Sequence, residues 1–299
     1  MAGISTAGVE FSRDLMRYAE VERREGQFKL VRLGSCEFGF DAAKVLFDGV
    51  TPQFLDAIRE AMADIFKDTT ASRFRFVIPS RRQTRFTTTV PEDADISVRT
   101  DLVGYDARLF TANQEGGDIF PLHLQRVQDT DMQRFAVSHL DASISQSLKQ
   151  LQPVFPEANL DPVPAMPAAV AAFRQVAHHL NLSSHTYVMI GTVEEGYDVT
   201  FAQGTEPLAQ EFLSATSGAD LAYHALLLGH RLGLIWNDID TVFLYGAQLP
   251  EAVAAALEEA FGPRVERINP GVVVGLEEDH FGDDYPIESF LPVVGAAIQ

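Results

Sequence analysis

Apolar and polar positions alternate with two different periods over the opening 90 residues. Between 8 and 22, Val9, Phe11, Leu15, Tyr18, Ala19 and Val21 surround a polar Ser12-Arg13-Asp14, and the stretch reads as one strand. Glu25-Gly26 signals a tight turn, and Phe28, Leu30 and Leu33 alternate with Lys29 and Arg32, which predicts a hairpin partner over 27–33. After Thr51-Pro52 the period lengthens. Phe54, Leu55, Ile58, Met62, Ile65 and Phe66 fall at helical spacing, with Pro52 near the first helical position. Short apolar runs at 74–78 and 85–90, closed by Pro79 and Pro91, predict two further strands. The opening therefore reads β-β-α-β-β.

From 92 to 159 the texture changes. Strand-like pieces at 102–110, 120–128 and 134–140 surround a loop tip at Gly116-Gly117, and 142–151 fits a helix with Ile144, Leu148 and Leu151 on one face. This predicts a small α+β subdomain inserted at 92–159. Residues 160–163 lead through Pro167 into an alanine-rich helix over 168–180. The second half predicts a strand at 186–190, a turn over 191–196, strands at 197–202 and 208–214 around Gln203-Gly204, and an apolar helix over 219–234. A buried strand at 241–245 then empties through Gly246-Ala247 into a helix over 251–260, with Pro250 at its start and Gly262 as its stop. A strand at 265–268 and a small-residue terminal helix within 287–298 complete the chain. Each half opens with a hairpin, at 8–33 and at 186–204, which points to two α/β lobes on one plan. The first is expected over 1–91 and 160–182, with the terminal helix at 286–299 packing back onto it. The second, a reduced lobe, is expected over 183–285.

With 299 residues the chain can bury a sizeable core in two lobes. Its formal net charge of -19 disfavours nucleic acid and anionic lipid as partners. Only Lys29, Lys44, Lys67 and Lys149 are lysines, a balance that suits a salt-adapted or GC-rich source as well as an ordinary acidic protein. No run approaches the roughly 20 apolar residues of a membrane span, and residues 1–10 lack the pattern of a secretory signal. Cys36 is the single cysteine, which excludes an internal disulfide and fits a reducing cytoplasm.

Two hairpin-led lobes, an insertion in the first, and a late strand–turn–helix resemble the actin-like ATPase superfamily, a ribonuclease H-like α/β fold. The order of elements is most similar to PilM-type pilus-assembly proteins, with FtsA and the cytoplasmic domain of type II secretion platform proteins as relatives. The matching segments are 8–17 at the first phosphate turn, 188–192 at the second, and Leu244-Tyr245-Gly246-Ala247 at the adenosine side. The resemblance places Glu10, Ser12, Gly191, Thr192, Gly246 and Ala247 at the nucleotide cleft. The departures from the family pattern are chemical. Glu10 replaces an aspartate, Phe11-Ser12-Arg13 replaces a glycine-containing turn, and Met189 stands at the second acidic position. A side chain at the turn obstructs close backbone approach to a phosphate, and a thioether cannot hold Mg²⁺ through water. Glu194-Glu195 in the next turn would repel a polyphosphate.

The resemblance implies a cytoplasmic, PilM-like scaffold without catalysis or cofactor. It would dock the cytoplasmic tail of an inner-membrane component of a type IV pilus or secretion machine in a groove between 1–90 and 92–159. Recruitment to the inner membrane would come through that partner, without insertion of its own, and self-association is compatible with the fold. The alternative is a divergent ATP-binding protein or weak ATPase that holds ATP and Mg²⁺ through Ser12, Thr192, Gly246 and Glu10. A sugar-kinase-like enzyme lacks a nameable aspartate base.

Other clusters carry less. His178, His179 and His185 do not share a helix face, and no carboxylate completes a metal motif. His224 and His230 read as partly buried packing residues. His280 lies in an acidic loop without calcium-loop spacing. Cys36 beside Glu37 is a poor nucleophile. Arg73, Arg75, Arg81, Arg82 and Arg85 concentrate positive charge on an acidic chain, either as ordinary surface residues or facing an acidic partner.

Overall fold

A computed structural model describes residues 4–111, 116–125, 131–193, 196–215, 217–246, 250–262, 264–276 and 286–299. Ala247, Glu194-Glu195 and the acidic loop around His280 lie outside the described residues.

The chain opens with a meander of three strands, β1 (Ile4–Ser12), β2 (Leu15–Arg24) and β3 (Gln27–Glu37). The expected single strand over 8–22 is thus two strands, broken at Arg13-Asp14, where Arg13 takes a left-handed φ of 52°. Helices α1 (Ala42–Asp48) and α2 (Leu55–Ile65) precede β4 (Arg73–Ile78). Asp41 caps α1 by accepting from the Lys44 amide at 2.9 Å, and Gly49 ends it in the left-handed region. Next come β5 (Thr84–Pro91), α3 (Ile96–Phe110), β6 (Asp118–Leu124), β7 (Met132–Leu140) and α4 (Ala142–Lys149). The strand expected at 102–110 is the second half of α3. β8 (Asn159–Pro164) leads directly into α5 (Ala165–His179).

The second half holds β9 (Thr186–Val193), β10 (Gly196–Gln203), β11 (Glu206–Leu213), α6 (Gly218–Arg231), β12 (Thr241–Gly246), α7 (Glu251–Phe261) and β13 (Val265–Arg267). The terminal helix α8 spans Leu291–Ile298.

Three sheets result, ordered β3-β2-β1-β4-β8, β11-β10-β9-β12-β13 and β5-β7-β6. The two large sheets repeat one plan, a meander whose first strand pairs in parallel with a strand from beyond a helix, β1 with β4 and β9 with β12. Such a parallel crossover is what a helix between the strands permits. β5 was expected beside the first sheet, but it pairs with β7 and so opens the small sheet at Thr84. α4 was expected within the insertion, yet Ile144 and Leu148 pack into the first sheet's core with Phe74 and Phe76.

The alternation of side chains along each strand sets five layers. Val9, Phe11 and Phe76 face α1, α2 and α4. On the other face, Ala19, Val21 and Val77 meet α8 and the start of α5. The rest of α5, through Phe173 and Val176, packs on Tyr187, Met189, Phe243 and Tyr245 of the second sheet. The far face of that sheet, with Val188, Val199 and Phe201, meets α6 and α7. α5 and α8 are therefore shared by both sheets, and their own contact is close: a Cβ on Gly295 would overlap the Ala168 carbonyl.

Candidate functional site at the inter-sheet cleft

β1, β9 and β12 all end on the same cleft, the position at which open α/β sheets present ligands beyond the carboxyl ends of their strands. A cavity of about 510 Å³ opens there, lined by Glu10, Ser12, Arg13, Thr192, Asp198, Tyr245 and Gly246 among others. It brings together four of the sequence-predicted site residues, Glu10, Ser12, Thr192 and Gly246. Gly191 is near but covered, and Ala247 lies outside the described residues.

Each residue has a local reason for its place. Glu10 and Arg17 are opposite one another across the β1–β2 hairpin, and their charged ends lie 3.5 Å apart. The hairpin turn is tied into its own sheet layer. The Arg13 carbonyl accepts from the Ala43 amide at 3.1 Å, and the Asp14 carbonyl accepts from Phe38 at 2.6 Å. The turn closes without glycine because Arg13 itself takes the left-handed conformation, which costs about 1–2 kcal/mol for a residue with a Cβ.

On the opposite wall, Tyr245 and Gly191 are partners on adjacent parallel strands. The tyrosine ring covers the glycine, so that any Cβ on Gly191 would overlap it. The Thr192 hydroxyl donates to the Tyr245 carbonyl at 3.3 Å. Gly246 follows with φ 89°, packed against Thr192. Met189 is 1% exposed in the core facing α5.

The unexpected feature of the cleft is a buried ion pair. Asp198 of β10 is 0% exposed, and Arg85 of β5 places Nη1 3.9 Å from its Oδ1. Arg85 Nη1 makes no hydrogen bond. Burial pushes the Asp198 carboxyl up to about 6, with the Arg85 charge and a hydrogen bond from Ser80 pulling it back. Burial lowers the Arg85 guanidinium, offset first by Asp198. Burial also raises the Tyr245 phenol well above its ordinary value, reinforced by the Asp198 charge and opposed by Arg85. The pair links the small sheet to the second large sheet. The sequence carries one trace of it, an aspartate in the apolar alternation Tyr197-Asp198-Val199-Thr200-Phe201.

Three other arginines of that cluster serve the chain itself. Arg73 lies 3.2 Å from Asp161, Arg75 donates to the Ala296 carbonyl at 3.2 Å, and Arg82 pairs with Asp48 while lying over the Phe47 ring. His224 and His230 are exposed on α6 rather than packed. Burial raises the Cys36 thiol. Among the described residues no three His, Cys, Asp or Glu side chains converge as a metal site, and no helix is long and apolar enough to cross a membrane.

No protein-family model and no curated protein matches the sequence. Solved structures do. A chain of the PilM-PilN type IV pilus biogenesis complex superposes with a TM-score of 0.72 at 15% identity, over 98% of this chain and 97% of that one. The fold is actin-like. A second match agrees, a Bacteroides thetaiotaomicron protein described as having an actin-like ATPase fold and unknown function. It has a TM-score of 0.51 at 13% identity, over 91% of this chain and 96% of that one. The cavity beyond β1, β9 and β12 carries Glu10, Ser12, Thr192 and Gly246 on its walls.

Proposed function

We propose that this actin-like chain is a non-catalytic scaffold of a pilus or secretion machine. It docks the cytoplasmic tail of an inner-membrane component and is thereby held at the cytoplasmic face of that membrane. The observation that carries the reading is the composition of the cleft. A Mg-nucleotide needs open carboxylates and a turn that admits phosphate oxygens against the backbone. Here the Glu10 carboxylate is paired with Arg17, the Arg13 side chain stands at the turn, Tyr245 covers Gly191, and Met189 is turned into the core. These residues do not fit a Mg-nucleotide, which leaves the fold as a carrier of surfaces. The likeness to a chain of the PilM-PilN complex over nearly its whole length supports the choice of machine.

The test is capture. Cytoplasmic tails of single-span membrane proteins encoded beside this gene are immobilised and challenged with the full chain. Saturable retention of the chain by one such tail, unaltered by added ATP and Mg²⁺, is expected. Retention by none of them would overturn the scaffold reading.

A second reading keeps one observation in its favour. The cavity of about 510 Å³ remains, with the Ser12 and Thr192 hydroxyls and Gly246 on its walls. It is the cleft of a divergent ATP-binding protein or weak ATPase if Mg-ATP binds in the micromolar range.

A further inference from the structure

A cavity larger than the cleft lies elsewhere. A groove of about 780 Å³ runs between the small sheet and the second large sheet. One wall is the small sheet, to which β5 contributes Arg85, Phe86 and Thr87 and β7 contributes Arg134, Ala136 and Val137. The other wall is β11. Four consecutive β11 residues, 209–212, line the groove. Successive side chains of a strand point to opposite faces, so a groove touching all four runs along the strand's edge. β11 is the outermost strand of its sheet; its only strand partner among the described residues is β10, and its Pro207 carbonyl accepts from the Gln125 amide at 2.7 Å. The end is closed by Leu228, Arg231 and Leu232, which share one face of α6.

The charge of this groove departs from that of the molecule. On a chain of net charge -19, it holds Arg85, Arg134 and Arg231 against the single acidic residue Glu211. Among the described residues, neither Arg134 nor Arg231 is engaged by an ion pair. Arg85 is mostly buried, and its Nη1 makes no hydrogen bond. Arg85 is already engaged by Asp198 at 3.9 Å, so Arg134 and Arg231 are the cations left for a ligand, and carboxylates meet arginines through charge-assisted bonds. The repulsion of the acidic chain as a whole is screened beyond about 8 Å at physiological salt, whereas direct contacts inside the groove are screened much less.

We propose that this groove receives an extended acidic segment of a partner protein, laid along the β11 edge with its carboxylates against Arg134 and Arg231. The inference rests on the docking reading above and assigns that docking a place and a charge. The backbone of the segment adds to the edge of β11 over 209–212, which supplies affinity, and the two arginines select for acidic side chains.

The experiment measures fluorescence anisotropy of a short labelled peptide of alternating glutamate and valine against the full chain. An alternating lysine–valine peptide and inorganic phosphate serve as controls. Arg134→Glu and Arg231→Glu are the variants, since Arg231 is exposed and Arg134 is half-buried, with circular dichroism checking the fold. The expected result is saturable binding of the acidic peptide, weakened about tenfold by each variant and by raised salt, with no binding of the lysine peptide. Absence of saturable binding up to about 1 mM, or binding unchanged in both folded variants, overturns the proposal. Equal displacement by phosphate also overturns it, since the groove is then an oxyanion pocket without strand addition. The captured membrane-protein tail separates the two readings. Capture that both variants leave intact sinks the groove and spares the scaffold, whereas capture by no tail sinks the scaffold.

Discussion

The Tyr245 ring occupies the space above the α-carbon of Gly191, its partner on the neighbouring parallel strand. The tyrosine thereby seals the wall of the cleft and brings its phenol to the Asp198–Arg85 pair. Gly191→Ala forces the buried ring off its position, and overpacking of this kind costs about 1–3 kcal/mol. Urea unfolding monitored by circular dichroism should show that loss. Combined with Tyr245→Ala, the two effects should fall short of additive by more than about 0.5 kcal/mol, because one overlap accounts for the first loss.

Asp198 gives the stability a defined pH dependence. Its carboxyl titrates at about 6 in the folded chain and at about 3.9 when unfolded. Between those values the folded chain holds a proton that the unfolded chain has released, so this group's contribution falls as pH rises from about 4 to 6 and is constant above. The difference of about 2 units corresponds to about 2–3 kcal/mol. Asp198→Asn lacks this dependence. Against wild type, and apart from a constant offset for the unpaired Arg85 charge, the variant should gain about 2–3 kcal/mol between pH 4 and 6.5. A stability difference that stays flat across this range contradicts the assignment.

The contact of α8 with α5 sets a contest between two effects at Gly295. Alanine is the better helix former by about 1 kcal/mol. Its Cβ, however, would overlap the backbone carbonyl of Ala168, which belongs to a packed helix and has little room to move. Overpacking at about 1–3 kcal/mol or more wins. Gly295→Ala should therefore lower the melting temperature despite the gain in helix propensity. A melting temperature equal to or above wild type would show that the helices separate without penalty.

Much of the two-lobed plan is legible because both halves carry it in their periodicity. Val188 and Ile190 alternate as a buried strand should, and Ile58 and Met62 stand at helical spacing. The misreadings have local causes. α3 buries only Val103 and Ala107, while Ile96, Tyr105, Leu109 and Phe110 are exposed, so no single apolar stripe marks it as a helix. β8 contains Pro162 and Pro164, which argue against a strand unless it lies at an edge, and the edge of the first sheet is where it lies. The Arg13 turn lacks the glycine that a left-handed position normally announces.

The cleft was legible only in part. The resemblance places Glu10, Ser12, Thr192 and Gly246, and the cavity gathers them. Nothing local in the sequence pairs Arg85 with Asp198, since that contact is made between two sheets whose packing depends on the whole chain. The same holds for β5, whose apolar pattern predicts a strand but not its partner β7.

Isothermal titration of the full chain with ATP in the presence of Mg²⁺ tests the central claim most directly. With Arg13 at the turn, Glu10 paired to Arg17 and Tyr245 over Gly191, no saturable heat is expected up to about 1 mM nucleotide. A dissociation constant in the micromolar range would contradict the account and return the cleft to nucleotide binding.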